Sequence, residues 1–342
     1  MLIKASLGIH FLEQWAEWVS MQVDYSYLES LSVDPILNPR TGVPLKPRWL
    51  KVDKVHGDRL YGIKRALRTD TLHTVCEEAK CPNISECWNV GTATFMVLGD
   101  TCTRGCRFCA VKTGNPGGVV DSDEPAKVAA NIAAMALDYA VITMVDRDDL
   151  EDGGAAHVAA VIQAVQQGSP GTRIEILAGD FLARAENIAQ ILDAGSGLDV
   201  FAHNLETVQR LTPRVRDARA SYKQSLKTLE LSKALRPATL TKSAIMLGLG
   251  EDYMEVEETL RDMRNAGVEI VTIGQYLQPT RKHLRIKRFV HPLEFDYWRD
   301  FARSIGFRGV ASGPLVRSSY KASHLFPGAA VELAHAAVRP IP

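Results

Sequence analysis

Short β-branched or apolar runs alternate with longer alanine- and leucine-rich segments of helical period from Thr94 onward, and a charged, glycine-rich or cysteine-rich motif follows several of the runs. These two regularities predict an α/β fold, a partial (β/α)6 barrel of the TIM type, because parallel βα units carry their working loops after the C-terminal ends of the strands. A third observation adds extensions to that body. All six cysteines lie between Cys76 and Cys109, around the first strand, and a tail leaves the last unit at Gly313.

The elements follow in chain order. Met1 to Gln22 holds Leu2, Ile3, Phe11 and Leu12, but His10, Glu13 and Glu17 interrupt every apolar run, so neither a secretory signal nor a membrane span is expected. The acidic residues and the scarcity of arginine also argue against a mitochondrial transit peptide. Pro35, Pro39, Pro44 and Pro47 then exclude continuous helix or central strand, because each lacks an amide donor, and predict an extended arm. Strands are expected at 94–98, 139–145, 173–178, 198–202, 241–247 and 269–276. Helices are expected near 125–137, 154–167, 184–194, 221–235 and 253–266, the first opened by Ser122, Asp123, Glu124 and Pro125. A helix near 292–304 and a short strand near 308–312 close one side, and the last dozen residues are expected to be poorly ordered. The division that follows is 1–46, an arm of unclear role; 47–93, a cysteine-bearing extension; 94–312, the partial barrel; and 313–342, the tail.

With 40 lysines and arginines against 40 aspartates and glutamates, no global field draws the chain to nucleic acid or to a membrane surface. A soluble, cytoplasmic protein is expected.

Six cysteines permit a disulfide framework, yet such frameworks belong to short secreted chains without a sizeable core. Crowding them into one tenth of a 342-residue chain points to metal ligation instead. Cys102-Thr103-Arg104-Gly105-Cys106-Arg107-Phe108-Cys109 is C-x3-C-x2-C, three thiolates on a tight loop, with Gly105 expected to permit the turn. A four-iron cubane normally takes four cysteines, so three leave one iron open. Zinc is the competing occupant, but structural zinc takes four ligands and no second C-x2-C knuckle is present. Cys76-Glu77-Glu78-Ala79-Lys80-Cys81-Pro82-Asn83-Ile84-Ser85-Glu86-Cys87 is C-x4-C-x5-C, again one ligand short.

The octapeptide resembles the signature of radical S-adenosylmethionine enzymes, and C-E-E-A-x-C-P-N-x-x-E-C-W resembles the auxiliary-cluster motif of lipoyl synthases. Arg317-Ser318-Ser319-Tyr320 matches that family's C-terminal R-S-S-Y motif. The resemblance runs from about Pro47 to Tyr320. It implies two 4Fe-4S clusters, one on Cys102, Cys106 and Cys109 with S-adenosylmethionine on its open iron, the other on Cys76, Cys81, Cys87 and Ser319, with Ser318 as the fallback ligand. The implied reaction is insertion of two sulfur atoms at C6 and C8 of an octanoyl group on a carrier-protein lysine. Implied partners are octanoylated lipoyl carrier domains (E2 subunits, the glycine cleavage H protein) and an electron donor such as ferredoxin or flavodoxin. Asp146, Arg147, Asn204 and Glu251, each after a strand, are read as contacts to S-adenosylmethionine or the peptide. For Asp146 to Asp149 a solvated charged turn is the ordinary alternative, and for Asn204 a helix cap. His203 is read as structural, and the basic run Arg281 to Arg288 as a docking segment for an acidic carrier.

Three positions depart from the family pattern: Met144 for an expected serine, Gly179 for proline and Ala202 for asparagine. They leave room for two alternatives, a diverged radical enzyme with another substrate or a catalytically impaired cluster-binding paralogue.

Overall fold

The computed structural model describes residues 25–40, 42, 44–52, 58–70, 72–78, 81–89 and 94–326. The expectations about a leader in residues 1–22 and poor order in the last dozen residues lie outside them. The elements run α1 Ser26–Ser30, α2 Asp58–Thr69, β1 His73–Thr74, α3 Val75–Glu78, α4 Ile84–Asn89, β2 Thr94–Val97, β3 Thr101–Cys102, β4 Lys112–Thr113, α5 Glu124–Ala134, β5 Tyr139–Met144, α6 Ala155–Gly168 and β6 Arg173–Leu177. They continue with α7 Ala185–Leu192, β7 Val200–Ala202, α8 Thr212–Val215, α9 Tyr222–Leu235, β8 Leu240–Leu247, α10 Tyr253–Asn265, β9 Ile270–Gln275, α11 Pro292–Ser304, β10 Gly309–Gly313 and α12 Ala322–Leu325.

One eight-stranded sheet orders the strands β1-β2-β5-β6-β7-β8-β9-β10. All neighbours pair in parallel except β1, which runs antiparallel to β2 through His73↔Met96 and Thr74↔Phe95. The strands read as unbroken apolar runs because both faces are covered; every residue of β9 is buried. On the helix face Ile142, Ile174, Ile176 and Phe201 pack with Val158, Ile162, Ile188 and Ile191 of α6 and α7. On the other face Val200, Leu240, Ile270 and Ala311 are covered by Leu325 and Phe326 of the tail. That face also buries one polar group: Lys242 Nζ stands 2.7 Å from Glu175 Oε1, and Tyr139 donates to Glu175 Oε2 at 2.7 Å. Pairing makes the burial of both charges tolerable.

Helix ends follow local chemistry. Asp252 and Glu255 form a reciprocal capping box on α10, and Ser221 caps α9 through the Gln224 amide. α5 stops at Ala134, short of the expected 137, where Ala136 takes a left-handed φ of 48°.

The proline-rich arm is non-repetitive, as its composition requires. It holds isolated bridges Val33↔Phe289 and Leu37↔Pro44 and one 3-10 turn at Arg48–Leu50. Leu28 and Leu50 are nevertheless buried against the layer formed with α10 and α11, and Tyr25 stacks on Tyr253 with centroids 5.4 Å apart. The arm is thus a strap packed on the body.

Candidate active site

The C-x3-C-x2-C loop leaves β2 through a left-handed turn, Leu98 at φ 69° and Gly99 at φ 88°. The Glu124 carboxylate, in the first turn of α5, accepts from the Leu98 amide at Oε2, 2.7 Å, and from the Gly99 amide at Oε1, 3.4 Å, while His157 Nε2 lies 2.6 Å from the same Oε2. Cys102 sits on β3, paired with β4 in the register Cys102↔Thr113, so the loop is bracketed by a two-stranded ribbon. Cys109 N donates to Cys106 O at 3.1 Å, which brings the last two cysteines into one turn. Gly105 is not what permits that turn. Its φ is not left-handed, and an added Cβ would meet Thr113 Cγ2 at an ordinary 3.7 Å; its amide serves instead as donor to Asp217 Oδ2 at 2.8 Å.

All six cysteines are free thiols. The Arg104 amide donates to Cys102 Sγ at 3.4 Å and the Asp217 amide to Cys106 Sγ at 3.3 Å. Burial pushes the Cys106 thiol up to about 11 and Cys109 to about 12, with neighbouring sulfurs adding to the rise at Cys109. Such thiols ionise at neutral pH only against a cation, and coordination by iron supplies one. The donor set therefore fits a cluster with three protein corners.

Arg104, inside the octapeptide, ties this loop to the sheet. Its guanidinium donates to both Asp180 oxygens, at 2.6 and 2.9 Å, to Asp148 at 2.8 Å, and lies 3.5 Å from Asp146 Oδ1. Burial alone would raise Asp180, but these bonds hold it down at about 2; Asp146, less well paired with Arg104, is pushed by burial up to about 6.

The upstream trio is assembled by α3, α4 and β1. Cys81 N donates to Cys76 O at 3.0 Å and Cys87 N to Asn83 O at 2.9 Å. Burial raises all three thiols, Cys87 to about 12, and the sulfurs are close enough that Cys81 and Cys76 each add to the rise at Cys87. The R-S-S-Y segment lies against this trio although more than 200 residues separate them. Asn83 Nδ2 donates to Leu315 O at 2.7 Å, Tyr320 OH approaches both Glu86 oxygens at 3.3 Å, and Lys321 Nζ stands 3.1 Å from Glu86. Thr94 Oγ1 is 3.0 Å from Ser319 Oγ, and the Arg317 charge counteracts the effect of burial on Cys81. The approach depends on Gly274, whose missing Cβ would fall 2.2 Å from Val316 O. The donor set, one buried and two half-buried thiols and a seryl oxygen, fits a second cluster. Among the described residues no three His, Cys, Asp or Glu side chains converge on a single metal ion.

The remaining expected site residues divide. Arg147 is buried and saturated by Asp149 at 2.8 Å and by Leu98 O and Val119 O at 3.3 and 2.8 Å. Glu251 is buried, accepting from Gly248 N at 2.6 Å and Leu249 N at 2.9 Å, with Arg288 at 3.4 Å. Asn204 caps no helix; its Nδ2 donates to Glu206 Oε1 at 3.1 Å and its Oδ1 is buried without a partner. His203 is structural: Nδ1 meets Ala178 O at 2.9 Å, so it carries the proton, and Nε2 accepts from Ser225 at 2.9 Å. Of the basic run, His283 Nε2 reaches Cys109 O at 2.8 Å and Arg288 pairs with Glu294, whereas Lys282, Arg285 and Lys287 are exposed.

Residues 96–263 match the radical SAM superfamily model. A lipoyl synthase from Ectopseudomonas mendocina is 52% identical over 281 residues, covering 82% of this chain and 80% of the relative. This chain belongs to the lipoyl synthase family. The lipoyl synthase of Thermus thermophilus is likewise 52% identical, covering 82% of this chain and 86% of the relative, and a mitochondrial lipoyl synthase of Candida tropicalis is 51% identical, covering 82% and 75%. Methylornithine synthase shares the fold alone, with a TM-score of 0.51 at 14% identity over 75% of this chain and 72% of that one. The sheet is accordingly the α/β core of the radical SAM type, resembling a partial TIM barrel. The chain is a radical SAM enzyme of the lipoyl synthase type, inserting sulfur with S-adenosylmethionine and an iron-sulfur cluster. Among the described residues no helix is long and apolar enough to cross a membrane.

Sequence reasoning missed Asn83, Glu86, Thr94, Arg104, Asp180, Glu206 and Arg216. Three of them, Asn83, Glu86 and Arg104, stand within the quoted cysteine motifs, where a polar residue between ligands was the available signal.

Proposed function

We propose that the chain converts a carrier-bound octanoyl group to a lipoyl group, inserting sulfur at C6 and C8 with two 4Fe-4S clusters, one on Cys102, Cys106 and Cys109, the other on Cys76, Cys81, Cys87 and Ser319. The observation that carries this reading is the seating of Ser319 beside Thr94, with Tyr320 and Leu315 clamped by Glu86 and Asn83, against a trio that lacks one ligand. When bound, the clusters and S-adenosylmethionine supply a 5′-deoxyadenosyl radical and the sulfur. The chain's own residues hold and orient. Arg104 fixes the cluster loop, and the orphaned Asn204 Oδ1, whose amide is bonded to Glu206, and the orphaned Arg216 Nε, next in sequence to the Asp217 that bonds Cys106, offer polar contacts for S-adenosylmethionine. Asp146 contributes a carboxylate at the same strand ends. Arg147 and Glu251 act from within their loops, Arg147 fixing the turns at Leu98 and Val119 and Glu251 the turn at Gly248 and Leu249.

The expected partners are an octanoylated E2 or H-protein domain, docked on Lys282, Arg285 and Lys287, and a one-electron donor such as ferredoxin or flavodoxin. The expected compartment is the cytoplasm. Iron analysis should give about eight atoms per chain. Mass spectrometry of an octanoylated carrier domain, after incubation with reductant and S-adenosylmethionine without oxygen, tests the function: two added sulfurs support it. Formation of 5′-deoxyadenosine without sulfur gain would favour a diverged substrate, a reading to which the contact between Met144 and the Gly179 site lends weight. Neither product would leave a cluster-binding paralogue.

A further inference from the structure

We infer that Thr94 is the positioning residue of the upstream site, its hydroxyl holding the Ser319 oxygen ready to ligate cluster iron. The inference rests on the reading of Ser319 as fourth ligand. Thr94 opens β2 and is 2% exposed, with Oγ1 at 3.0 Å from Ser319 Oγ. Its strand neighbour Phe95 pairs with Thr74, two residues before Cys76, so the strand that Thr94 opens also borders the helix that carries Cys76.

The two partners differ in how they are held. Thr94 is fixed in the sheet, its register set by Thr94↔Val141 to β5 and by Thr74↔Phe95 to β1. Ser319 lies on the connection between β10 and α12, which ends at Lys321 in a left-handed conformation. A serine on such a segment needs a fixed point to present its oxygen reproducibly, and the sheet provides it through Thr94.

The direction of the bond follows from chemistry. A seryl oxygen that ligates iron has given up its proton and can only accept, so the Thr94 hydroxyl must donate. A hydrogen bond to an ionised oxygen is charge-assisted, and bonds of this kind are among the strong ones. Iron in these clusters is ordinarily served by thiolate, so a hard oxygen at one corner depends more than a sulfur would on such support.

The test uses the full chain carrying Cys102→Ala, Cys106→Ala and Cys109→Ala, so that only the upstream cluster is reconstituted. Transfer of iron to a ferrous chelator and the Mössbauer spectrum of the oxygen-ligated site are then read. Thr94→Val should speed release about tenfold, in line with loss of a hydrogen bond to a charged group, and shift the unique-site signal; Thr94→Ser should match the parent. Thr94→Ala carries the same prediction if the valine variant does not fold. Parent-like release and spectrum in both Thr94→Val and Thr94→Ala, with fast release in Ser319→Ala, would overturn the role of Thr94. A lowered Tm with an unchanged Mössbauer signature would do the same. Parent-like behaviour of Ser319→Ala would overturn the ligand assignment itself, and the inference with it.

Discussion

Arg104 Nη1 stands 2.6 Å from Asp180 Oδ2, both side chains almost wholly buried, and this ion pair joins the cysteine loop after β2 to the turn after β6. Arg104 also meets Asp148, so two loops after neighbouring strands are clamped to the radical-site motif by one guanidinium. Removing one partner leaves a buried charge uncompensated, which costs about 3–5 kcal/mol. Arg104→Ala, which leaves the buried Asp180 carboxylate without the guanidinium, should lower the urea-unfolding free energy of the metal-free chain by that amount, and Arg104→Lys should not preserve the parent value, because an ammonium cannot form the two-pronged bond. A change below about 1 kcal/mol in either variant would refute the clamp.

His203 predicts a pH effect. Burial, then the charge of Arg216, lowers it from 6.5 to about 4, so the folded chain keeps it neutral in a window where the unfolded chain protonates it. The unfolded state binds more protons between pH 6.5 and 4, and stability must fall as pH falls through that window, by a few kcal/mol in all. Asp146, raised from 3.8 to about 6, has the opposite sign over part of the range, losing stabilisation as pH rises toward 6. The variant is therefore the clean measurement. His203→Gln should flatten the decline in Tm between pH 7 and pH 5; an unaltered slope would remove His203 as its source.

Strand positions were legible because parallel strands covered on both faces are uninterrupted apolar runs: 139–145 and 269–276 were expected, Tyr139–Met144 and Ile270–Gln275 are observed. Short elements were not. β1 has two residues and α3 four, too few for any period to register, and they order only because they pack beside the cysteines. The cysteine trios were legible as spacings, and the R-S-S-Y tail as a motif. Their mutual contact was not, because Asn83–Leu315 and Thr94–Ser319 bonds each join residues more than 200 positions apart. Arg147 and Glu251 were identified by position after a strand, but position does not say whether a side chain faces the mouth or saturates its own turn.

Lys282, Arg285 and Lys287 are exposed beside His283, which reaches the Cys109 carbonyl at 2.8 Å. A carrier bound there would sit close to the radical site. Reversing the three charges should weaken binding of the octanoylated carrier domain, with greater loss at low salt, where rim charges act at longer range. Turnover of a short octanoyl-lysine peptide should be spared. Equal loss on carrier and peptide would assign the segment to catalysis or folding instead.

Of the three positions expected to depart from the family pattern, Gly179 and Met144 are neighbours. A Cβ on residue 179 would stand 2.7 Å from Asp146 Oδ1, so Gly179 makes room for the carboxylate that faces Arg104, and 3.6 Å from Met144 Cε, an ordinary contact. Gly179→Pro introduced alone should therefore displace Asp146 and destabilise the chain by about 1–3 kcal/mol, the cost of overpacking a filled site. Combined with Met144→Ser the penalty should shrink, since the residues are in contact and neighbouring substitutions do not add. Ala202, buried at the end of β7, removes a polar group without adding bulk. Met144→Ser with Ala202→Asn should raise kcat/KM for sulfur insertion if these positions limit binding of S-adenosylmethionine or substrate. Unchanged kinetics in that double variant would mean that the strand ends have repacked around Met144 without functional consequence, and additive unfolding free energies for Gly179→Pro and Met144→Ser would refute the coupling.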